Sequence, residues 1–415
     1  MTRLDRAGGK QVAIGGADRD AADLQGLGQI ALARQRRSRF QQAFLDKAGQ
    51  RLRKAFVQRP GHGVVAQATR FCVRGGIADW VTFQGPARLF SWVLSIAVGA
   101  VLLQAMIGFG VFDATRTLAW NERLLWFSAL AGGLLFGIGM MLAPGCPQRC
   151  LVKAGAGDLT AWATLVVIAI VAVMTLRGIL AVPRTGLFDS LSVTLSRPQD
   201  LGSVLGGALG TPAGAMRALV TALIVAGTAL FAWRARGQLD RAAWIGGIGV
   251  GLVLALAFYL TGRIGFVAEH PETLDAAWLG TQGKRPEGLS FVSPLANALD
   301  LLSMWTDKNT VATFGVMLSL GIVLGSHLSA RVRGDYQVES FTTARELRHS
   351  VVGGALMGFG GVTALGCSVG NGVTGAALLS TGSLLAIAGM VTGTVLVLKF
   401  QARADAQSQG APATA

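Results

Sequence analysis

Charged residues are scarce in this chain: Asp, Glu, Lys and Arg make up 14% of its 415 residues, against about 25% in soluble globular proteins. So few charges cannot cover the surfaces of the several soluble domains that a chain of this length would otherwise allow. The composition is shifted toward other residues, because 52% are hydrophobic and 57 residues are glycine. Glycine in this amount without a three-residue period excludes collagen and is typical of closely packed membrane helices.

Cysteine and histidine are also rare, with four residues of each. Four cysteines in so long a chain cannot form a disulfide scaffold. Cys146 and Cys150 could share a metal ion, but no other Cys or His lies close in sequence to complete a zinc site. We therefore expect no metal, and we expect Cys150 to be a spectator. No nucleotide or cofactor motif is present, so the sequence predicts neither a cofactor nor catalytic residues.

Long apolar runs begin after residue 86. Each has about 16 to 22 residues, close to the roughly 20 that a membrane-spanning helix needs. The runs are continuous rather than alternating, which excludes a β-barrel. We therefore predict an all-α, polytopic helical membrane bundle with about eight spans. The runs cover residues 89–108, 124–143, 160–181, 214–233, 243–261, 309–328, 351–366 and 383–400.

The net charge of +15 lies largely in an N-terminal head and in the connections between the runs. Residues 1–60 contain no apolar stretch that could span a membrane or form the core of a signal peptide. We expect them to form a basic soluble head, disordered or loosely helical. The membrane domain then covers residues 61–400, and a short tail covers 401–415. Nucleic acid or anionic lipid could bind such a head, but the pattern selects no target, and we expect no nucleic-acid partner.

Lys and Arg are unevenly shared between the two sides of the predicted membrane. The connections on the same side as the residues before the first run carry more of them than the connections on the opposite side. The positive-inside rule therefore places both ends in the cytoplasm. We predict a multi-pass protein of the bacterial inner membrane.

A glycine pattern occurs twice. Segments Gly137–Cys146 and Gly358–Cys367 both read G-x-G-x5-G-C, and each follows one apolar run and precedes another. The predicted topology gives the two segments opposite directions, which is the pattern of an inverted repeat. In transporters such a repeat places the substrate site at the interface of its halves. The alternative is a chance similarity between glycine-rich helices.

Each of these cysteines lies where a helix is expected to break. Pro147 suits the first turn of a new helix and makes Cys146 its N-cap. The glycines from Gly366 onward, around Cys367 and Asn371, suit a re-entrant or broken helix. A helix start offers free N–H groups and partial positive charge to an anion, and a thiol adds a weak donor on a polarizable atom. The alternative is that the cysteines are small apolar fillers, but their matched settings favour an anion path, on which we place Gly145, Cys146, Gly366, Cys367 and Asn371.

Three segments with cysteine resemble the YeeE/YedE family of membrane proteins, a sulfur transport domain family associated with thiosulfate uptake. The resemblance extends over most of the chain beyond the head. It rests on Phe71-Cys72-Val73-Arg74, Gly145-Cys146-Pro147-Gln148-Arg149 and Gly366-Cys367-Ser368-Val369-Gly370, together with Gly155-Ala156-Gly157-Asp158-Leu159.

The resemblance implies a bundle of about nine spans that is narrowed in the middle by short re-entrant helices. It also implies that Cys72, Cys146 and Cys367 line the path and pass thiosulfate along by S–H hydrogen bonds. A small cytoplasmic sulfur carrier of the TusA type would be the partner that receives the sulfur. Some relatives are connected instead with selenium metabolism. From the residues themselves, Arg149 would draw the anion out at the cytoplasmic end, or anchor a helix end.

The chain departs from the family in one respect. Relatives have an apolar helix before the first cysteine segment, whereas residues 45–66 of this chain carry many charges. Each Lys or Arg at the centre of a spanning helix costs about 2.5–3.5 kcal/mol on insertion scales. We therefore expect the start of the chain to be mispredicted or frame-shifted.

The sequence thus predicts a permease that imports thiosulfate or a related sulfur-containing anion, rather than an enzyme. Two alternatives stay open, a selenium-related transporter and a membrane enzyme that transfers sulfur through a thiol. The enzyme would need a reactive thiolate and a partner base or resolving cysteine. A third alternative is a structural membrane subunit whose partner carries out the chemistry.

Overall fold

The computed structural model describes residues 71–82, 84–267, 277–281, 283–307 and 310–408, with side chains described as far as residue 403. The head predicted for residues 1–60 and the charged segment 45–66 lie outside the described residues.

Most of the described part of the chain is helical. Its α-helices are α1 (Val73–Val81), α2 (Ala87–Gly108), α3 (Trp126–Leu142), α4 (Pro147–Gly155), α5 (Leu159–Leu176), α6 (Ala181–Pro183), α7 (Leu201–Leu209), α8 (Ala213–Ala235), α9 (Arg241–Tyr259), α10 (Val292–Ser303), α11 (Phe314–Arg333), α12 (Ala344–Thr363) and α13 (Thr381–Ser408). Short 3-10 turns lie at Ala114–Arg116 and Leu118–Trp120, and π-helical turns at Arg184–Phe188, Leu260–Ile264 and Gly370–Gly375.

Two short antiparallel ribbons lie in the connections. Strand β1 (Arg123–Leu124) pairs with β2 (Val193–Thr194), and β3 (Phe266–Val267) pairs with β4 (Ala277–Trp278). With strands of two residues each, they tie loops together and add no layer to the fold.

Seven helical segments among the described residues are long and apolar enough to cross a membrane, which confirms the predicted all-α polytopic bundle. The predicted run at residues 351–366 forms α12, which is not one of the seven and begins earlier than its apolar stretch. Thr343 caps α12 by accepting the N–H of Glu346 at 3.2 Å, and the Glu346 carboxylate accepts the N–H of Thr342 at 2.9 Å. This capping box extends the helix into a charged first turn. The seven segments are Ala87–Gly108, Trp126–Gly155, Leu159–Leu176, Ala213–Ala235, Arg241–Ile264, Phe314–Arg333 and Thr381–Arg403.

Helix α3 lies between α12 and α13 at backbone contact. Gly133 and Gly137 on α3 are four residues apart, and a Cβ on either would collide with a carbonyl oxygen of α13. Gly389 and Gly393 on α13 have the same spacing and are in the same way pressed against carbonyls of α3. Small residues four apart allow membrane helices to approach closely enough for van der Waals contact between backbones. The α3–α13 contact is therefore specified from both sides.

The glycines of the two G-x-G segments make corresponding contacts. On α3, Gly137 contacts α13 and Gly139 contacts α12; on α12, Gly358 contacts α5 and Gly360 contacts α3. In both segments the second glycine joins α3 to α12, and the first contacts the long helix that follows the other cysteine. Repeats related by a two-fold axis would make this exchange of partners. The inverted repeat stays a prediction.

We predict that Gly137→Ala destabilises the protein, whereas Gly227→Ala does not. A methyl group at Gly137 would displace the Met390 carbonyl of α13, and overpacking of this kind costs about 1–3 kcal/mol or more. A Cβ at Gly227 on α8 meets no atom within 4 Å, so its methyl group improves helix propensity by about 1 kcal/mol without a clash. The measurement is the thermal unfolding midpoint in detergent. Equal midpoints for the two variants would contradict the close α3–α13 contact.

Candidate functional site

The first break in the bundle follows α3, at the first G-C pair. The chain becomes extended at Ala143, and α4 then begins at Pro147 with Cys146 as its N-cap. Both features are as predicted. A Cβ at position 145 would lie 2.8 Å from the Cγ atom of Arg149. This glycine therefore makes room for the arginine side chain beside the cysteine.

Helix α4 is short, so its last carbonyls need partners from other helices. Ser326 donates to the Val152 carbonyl at 2.6 Å, and the Trp162 indole donates to the Ala154 carbonyl at 3.0 Å. His327 Nδ1 lies 3.2 Å from the Gly155 carbonyl. Inside a membrane protein an unpaired backbone carbonyl costs several kcal/mol. These side chains of α5 and α11 thus allow α4 to end within the bundle.

The second break follows α12, at the second G-C pair. Leu365 adopts a left-handed conformation (φ 58°), which turns the chain before Gly366. The backbone N–H of Gly370 donates to the Cys367 sulfur at 3.3 Å, and a π-helical turn follows. The predicted broken helix is therefore present. We call residues 364–380 the re-entrant segment.

Asn371 holds the re-entrant segment in shape. Its amide nitrogen donates to the carbonyls of Ala364 at 2.9 Å and Gly366 at 3.0 Å, and its amide oxygen accepts from the Ser383 hydroxyl at 3.0 Å. Trp92 donates to the Gly372 carbonyl at 2.7 Å. Asn371 was predicted on the substrate path. It does line the main cavity described below, but its side chain is engaged in these three bonds.

The far end of the re-entrant segment is tied to the α7–α8 hairpin. Asp200 and Ser380 form a β-bridge, and the Leu201 N–H donates to the Leu379 carbonyl at 2.8 Å. Asp200 is fully buried and pairs with Arg217 at 2.8 Å. A buried ion pair in good geometry holds its elements in register. The hairpin thus fixes where the re-entrant segment returns to α13.

Cys72 caps α1 in the same way as Cys367 caps its turn. The Gly75 N–H donates to the Cys72 sulfur at 3.3 Å. Arg74 reaches the end of α3, where it donates to the Ala143 carbonyl at 3.2 Å and lies 3.5 Å from the Met141 carbonyl. The arginine of the F-C-x-R segment thus holds the Cys72 turn against the break before Cys146.

The structure brings the cysteine turns together. The Cys146 thiol lies close to the Cys72 thiol and to the Ser368 hydroxyl. Cys146 and Cys367 are each about 1% exposed, and Cys72 is half-buried. Arg149 and Arg74 place positive charge near Cys72. Five of the predicted site residues, Cys72, Gly145, Cys146, Arg149 and Cys367, therefore belong to one region.

Cys150 does not join the other thiols. It is fully buried, and its sulfur donates to the Gly145 carbonyl at 3.4 Å. The bond joins α4 to the residue just before Cys146. Its place in the fold is that of a small buried residue within α4.

A cavity of about 360 Å³ opens on the side of Cys367. Its wall includes Ser290, Ser293, Asn297, Gly370 and Asn371. A Cβ at Gly370 would lie 3.2 Å from the Ser290 hydroxyl and 3.8 Å from the Cys367 sulfur. We call this space the main cavity. Among the described residues that line it there is no cysteine, but Gly370, whose N–H donates to the Cys367 sulfur, is part of the wall.

Sequence reasoning missed two hydroxyl groups in this region. Ser368 is fully buried, and its hydroxyl makes no standard hydrogen bond with any described residue. It follows Cys367 directly, so its position beside a predicted site residue was a usable signal. Ser290 carries no such signal, because its segment lies outside both G-x-G-x5-G-C frames.

Comparison with known proteins identifies relatives over most of the chain. The family model described as Sulphur transport matches residues 68–396. The thiosulfate transporter TsuA of Escherichia coli K12 is 26% identical over 350 residues, which cover 80% of this chain and 89% of that protein. The thiosulfate transporter TsuA of Spirochaeta thermophila is 26% identical over 337 residues, covering 78% of this chain and 91% of that protein.

We predict that Asn371→Leu collapses the re-entrant segment. The leucine leaves two carbonyls without a donor and the Ser383 hydroxyl without its acceptor, and each unsatisfied buried group costs about 1–3 kcal/mol. The measurement is the unfolding midpoint in detergent. Ser383→Ala removes only one of the three bonds and should lower the midpoint less. A midpoint for Asn371→Leu at or above that of Ser383→Ala would show that the Asn371 amide does not hold the re-entrant segment in shape.

Proposed function

This chain belongs to the sulphur transport family, and on that premise we propose that it imports thiosulfate, or a related sulfur-containing anion, into the cytoplasm. It is a multi-pass membrane transporter rather than an enzyme. The observation that carries the proposal is the convergence of three cysteine turns in the bundle. Each turn presents a thiol at the start of a helical segment, and the main cavity is lined by Gly370, whose N–H donates to the sulfur of one of them, Cys367.

The physical problem for such a transporter is desolvation. A bare anion in a medium of low dielectric constant costs tens of kcal/mol by Born solvation. Backbone N–H groups at helix starts and thiol S–H groups offset this cost by replacing the water of the hydration shell. Neither group carries a full charge, so each site holds the anion weakly enough for release, as conduction requires.

The order of the groups suggests a path. From the main cavity the anion meets Cys367, whose neighbour Ser368 lies beside Cys146, and Cys146 lies beside Cys72. S–H hydrogen bonds would pass the ion from one thiol to the next. At the end of the path, Arg149 and Arg74 lie near Cys72 and attract the negative charge onward.

We propose inward transport on the basis of the predicted topology. With both ends in the cytoplasm, as the distribution of Lys and Arg favours, the main cavity faces outward and Cys72 lies toward the cytoplasm. We place the protein in the bacterial inner membrane. The thiosulfate would be delivered to a small cytoplasmic sulfur carrier of the TusA type.

The test is flux of thiosulfate into liposomes that contain the purified protein. Loss of a hydrogen bond to a charged group costs about 1.5–3 kcal/mol, which corresponds to about 10- to 150-fold in rate. We therefore expect Cys146→Ala and Cys367→Ala each to lower the flux by at least about tenfold. Cys150→Ala is the matched control, since Cys150 lies on the same helix as the Cys146 cap but outside the path.

Wild-type flux in a double Cys146→Ala, Cys367→Ala variant would refute the thiol relay. Competition by sulfate, sulfite and selenium analogues in the same assay establishes which anion is transported. If none of these anions enters the liposomes, the proposed function itself is wrong.

A further inference from the structure

A polar stripe on α10 forms one wall of the main cavity. Ser290 lies just before the helix, and Ser293 and Asn297 are four residues apart on one face of it; all three line the cavity. We call these three residues the α10 stripe. No part of the stripe contains a cysteine or belongs to the glycine frames.

Asn297 is the deepest of the three in the protein. It is 6% exposed, and it makes no hydrogen bond with any residue that the structure describes. Buried amides of folded proteins are nearly always hydrogen-bonded. An amide that is buried, borders a cavity and has no partner in the described chain is a group available to a ligand.

The three residues of the α10 stripe are uncharged, and the acidic residue that follows Asn297 on the helix is neutralised. One turn beyond Asn297, Asp300 forms an ion pair with Arg177 at 3.0 Å, and Arg177 also lines the cavity. The Asp300 carboxylate is therefore compensated and does not repel an anion. On this wall an approaching anion meets hydroxyl and amide groups, and the charged residues Arg177, Arg285 and Glu287 line other parts of the cavity.

The inner end of the stripe adjoins the thiols. Ser290 and Cys367 both lie close to the Cα of Gly370, on which a Cβ would be 3.2 Å from the Ser290 hydroxyl and 3.8 Å from the Cys367 sulfur. The absence of a side chain at Gly370 keeps this junction open. A ligand on the stripe is therefore next to the first thiol of the path.

We propose that the α10 stripe is an uncharged binding site for the oxygen atoms of a tetrahedral sulfur oxyanion, occupied before the ion reaches Cys367. The proposal rests on the proposed function and adds residues outside the cysteine turns. Hydroxyl and amide donors bind the oxygen atoms, and the sulfur end is left to face the thiol. Neutral donors in fixed positions select by shape and hydrogen bonding, and they release the ion more readily than a fixed positive charge would.

The experiment compares binding with transport. Isothermal titration with sodium thiosulfate on detergent-purified protein gives the affinity, and liposome flux at varied external thiosulfate gives the half-saturating concentration. We expect Asn297→Leu to weaken binding and to raise the half-saturating concentration by about tenfold or more. Asn297→Asp, which keeps the size and shape of the side chain but adds negative charge, should weaken binding further.

Two controls separate a stripe effect from damage to the fold. Ser303→Ala alters an exposed hydroxyl on the same helix, where it donates to the Leu299 carbonyl at 2.8 Å, and should leave both quantities unchanged. Cys146→Ala should lower the maximal flux while thiosulfate still binds, because the stripe is occupied first. Binding and flux are compared only among variants whose unfolding midpoints equal that of the wild-type protein. If Asn297→Leu does not fold, Asn297→Asp provides the test.

Failure of the two proposals is distinguishable. Wild-type transport of thiosulfate together with unchanged binding in both Asn297 variants would overturn the stripe and leave the transport function standing. Binding that depends on Asn297 without any flux would support the stripe and overturn transport. No thiosulfate binding by the wild-type protein would overturn the stripe as a thiosulfate site.

Discussion

A helix that ends inside a membrane bundle leaves backbone groups with no water to bond, and the whole arrangement depends on how these groups are satisfied. The last carbonyls of α4 accept hydrogen bonds from Ser326 and Trp162, and His327 lies within hydrogen-bond distance of a third. Carbonyls of the re-entrant segment accept hydrogen bonds from Asn371 and Trp92. Once these partners are present, the chain can break two helices inside the bundle without leaving those carbonyls unpaired.

The breaks cost backbone hydrogen bonds, but they also provide hydrogen-bond donors and partial charge inside the bundle. A helix start that points into the bundle has donors and partial positive charge where the apolar runs have neither. At Cys72 and Cys367 the sulfur accepts a backbone N–H of the turn that follows, and a thiol also presents a soft, weakly polar surface. Glycine contacts hold the turns in place: α3 is pressed against α12 and α13, so both breaks are set relative to one rigid element.

Much of the architecture was predictable because it depends on local pattern. Apolar runs of spanning length became helices, and Pro147 after Cys146 correctly marked a cap. The run at residues 351–366 was extended by a capping box at Thr343 into charged sequence, which hydropathy alone does not reveal. Asn371 was identified as a path residue from its glycine-rich setting, yet its three hydrogen bonds depend on partners that periodicity does not indicate.

By itself, the sequence determined that the protein is a bundle of apolar helices with breaks at Cys146 and Cys367, since helix formation and capping are set by neighbouring residues. Only the tertiary structure decided that Cys72 lies beside Cys146, that Ser368 faces the same thiol, and that α10 turns its polar stripe toward the main cavity. These juxtapositions join segments far apart in the chain. They arise from helix packing, in which glycine contacts and buried hydrogen bonds choose one arrangement among the many that the apolar pattern allows.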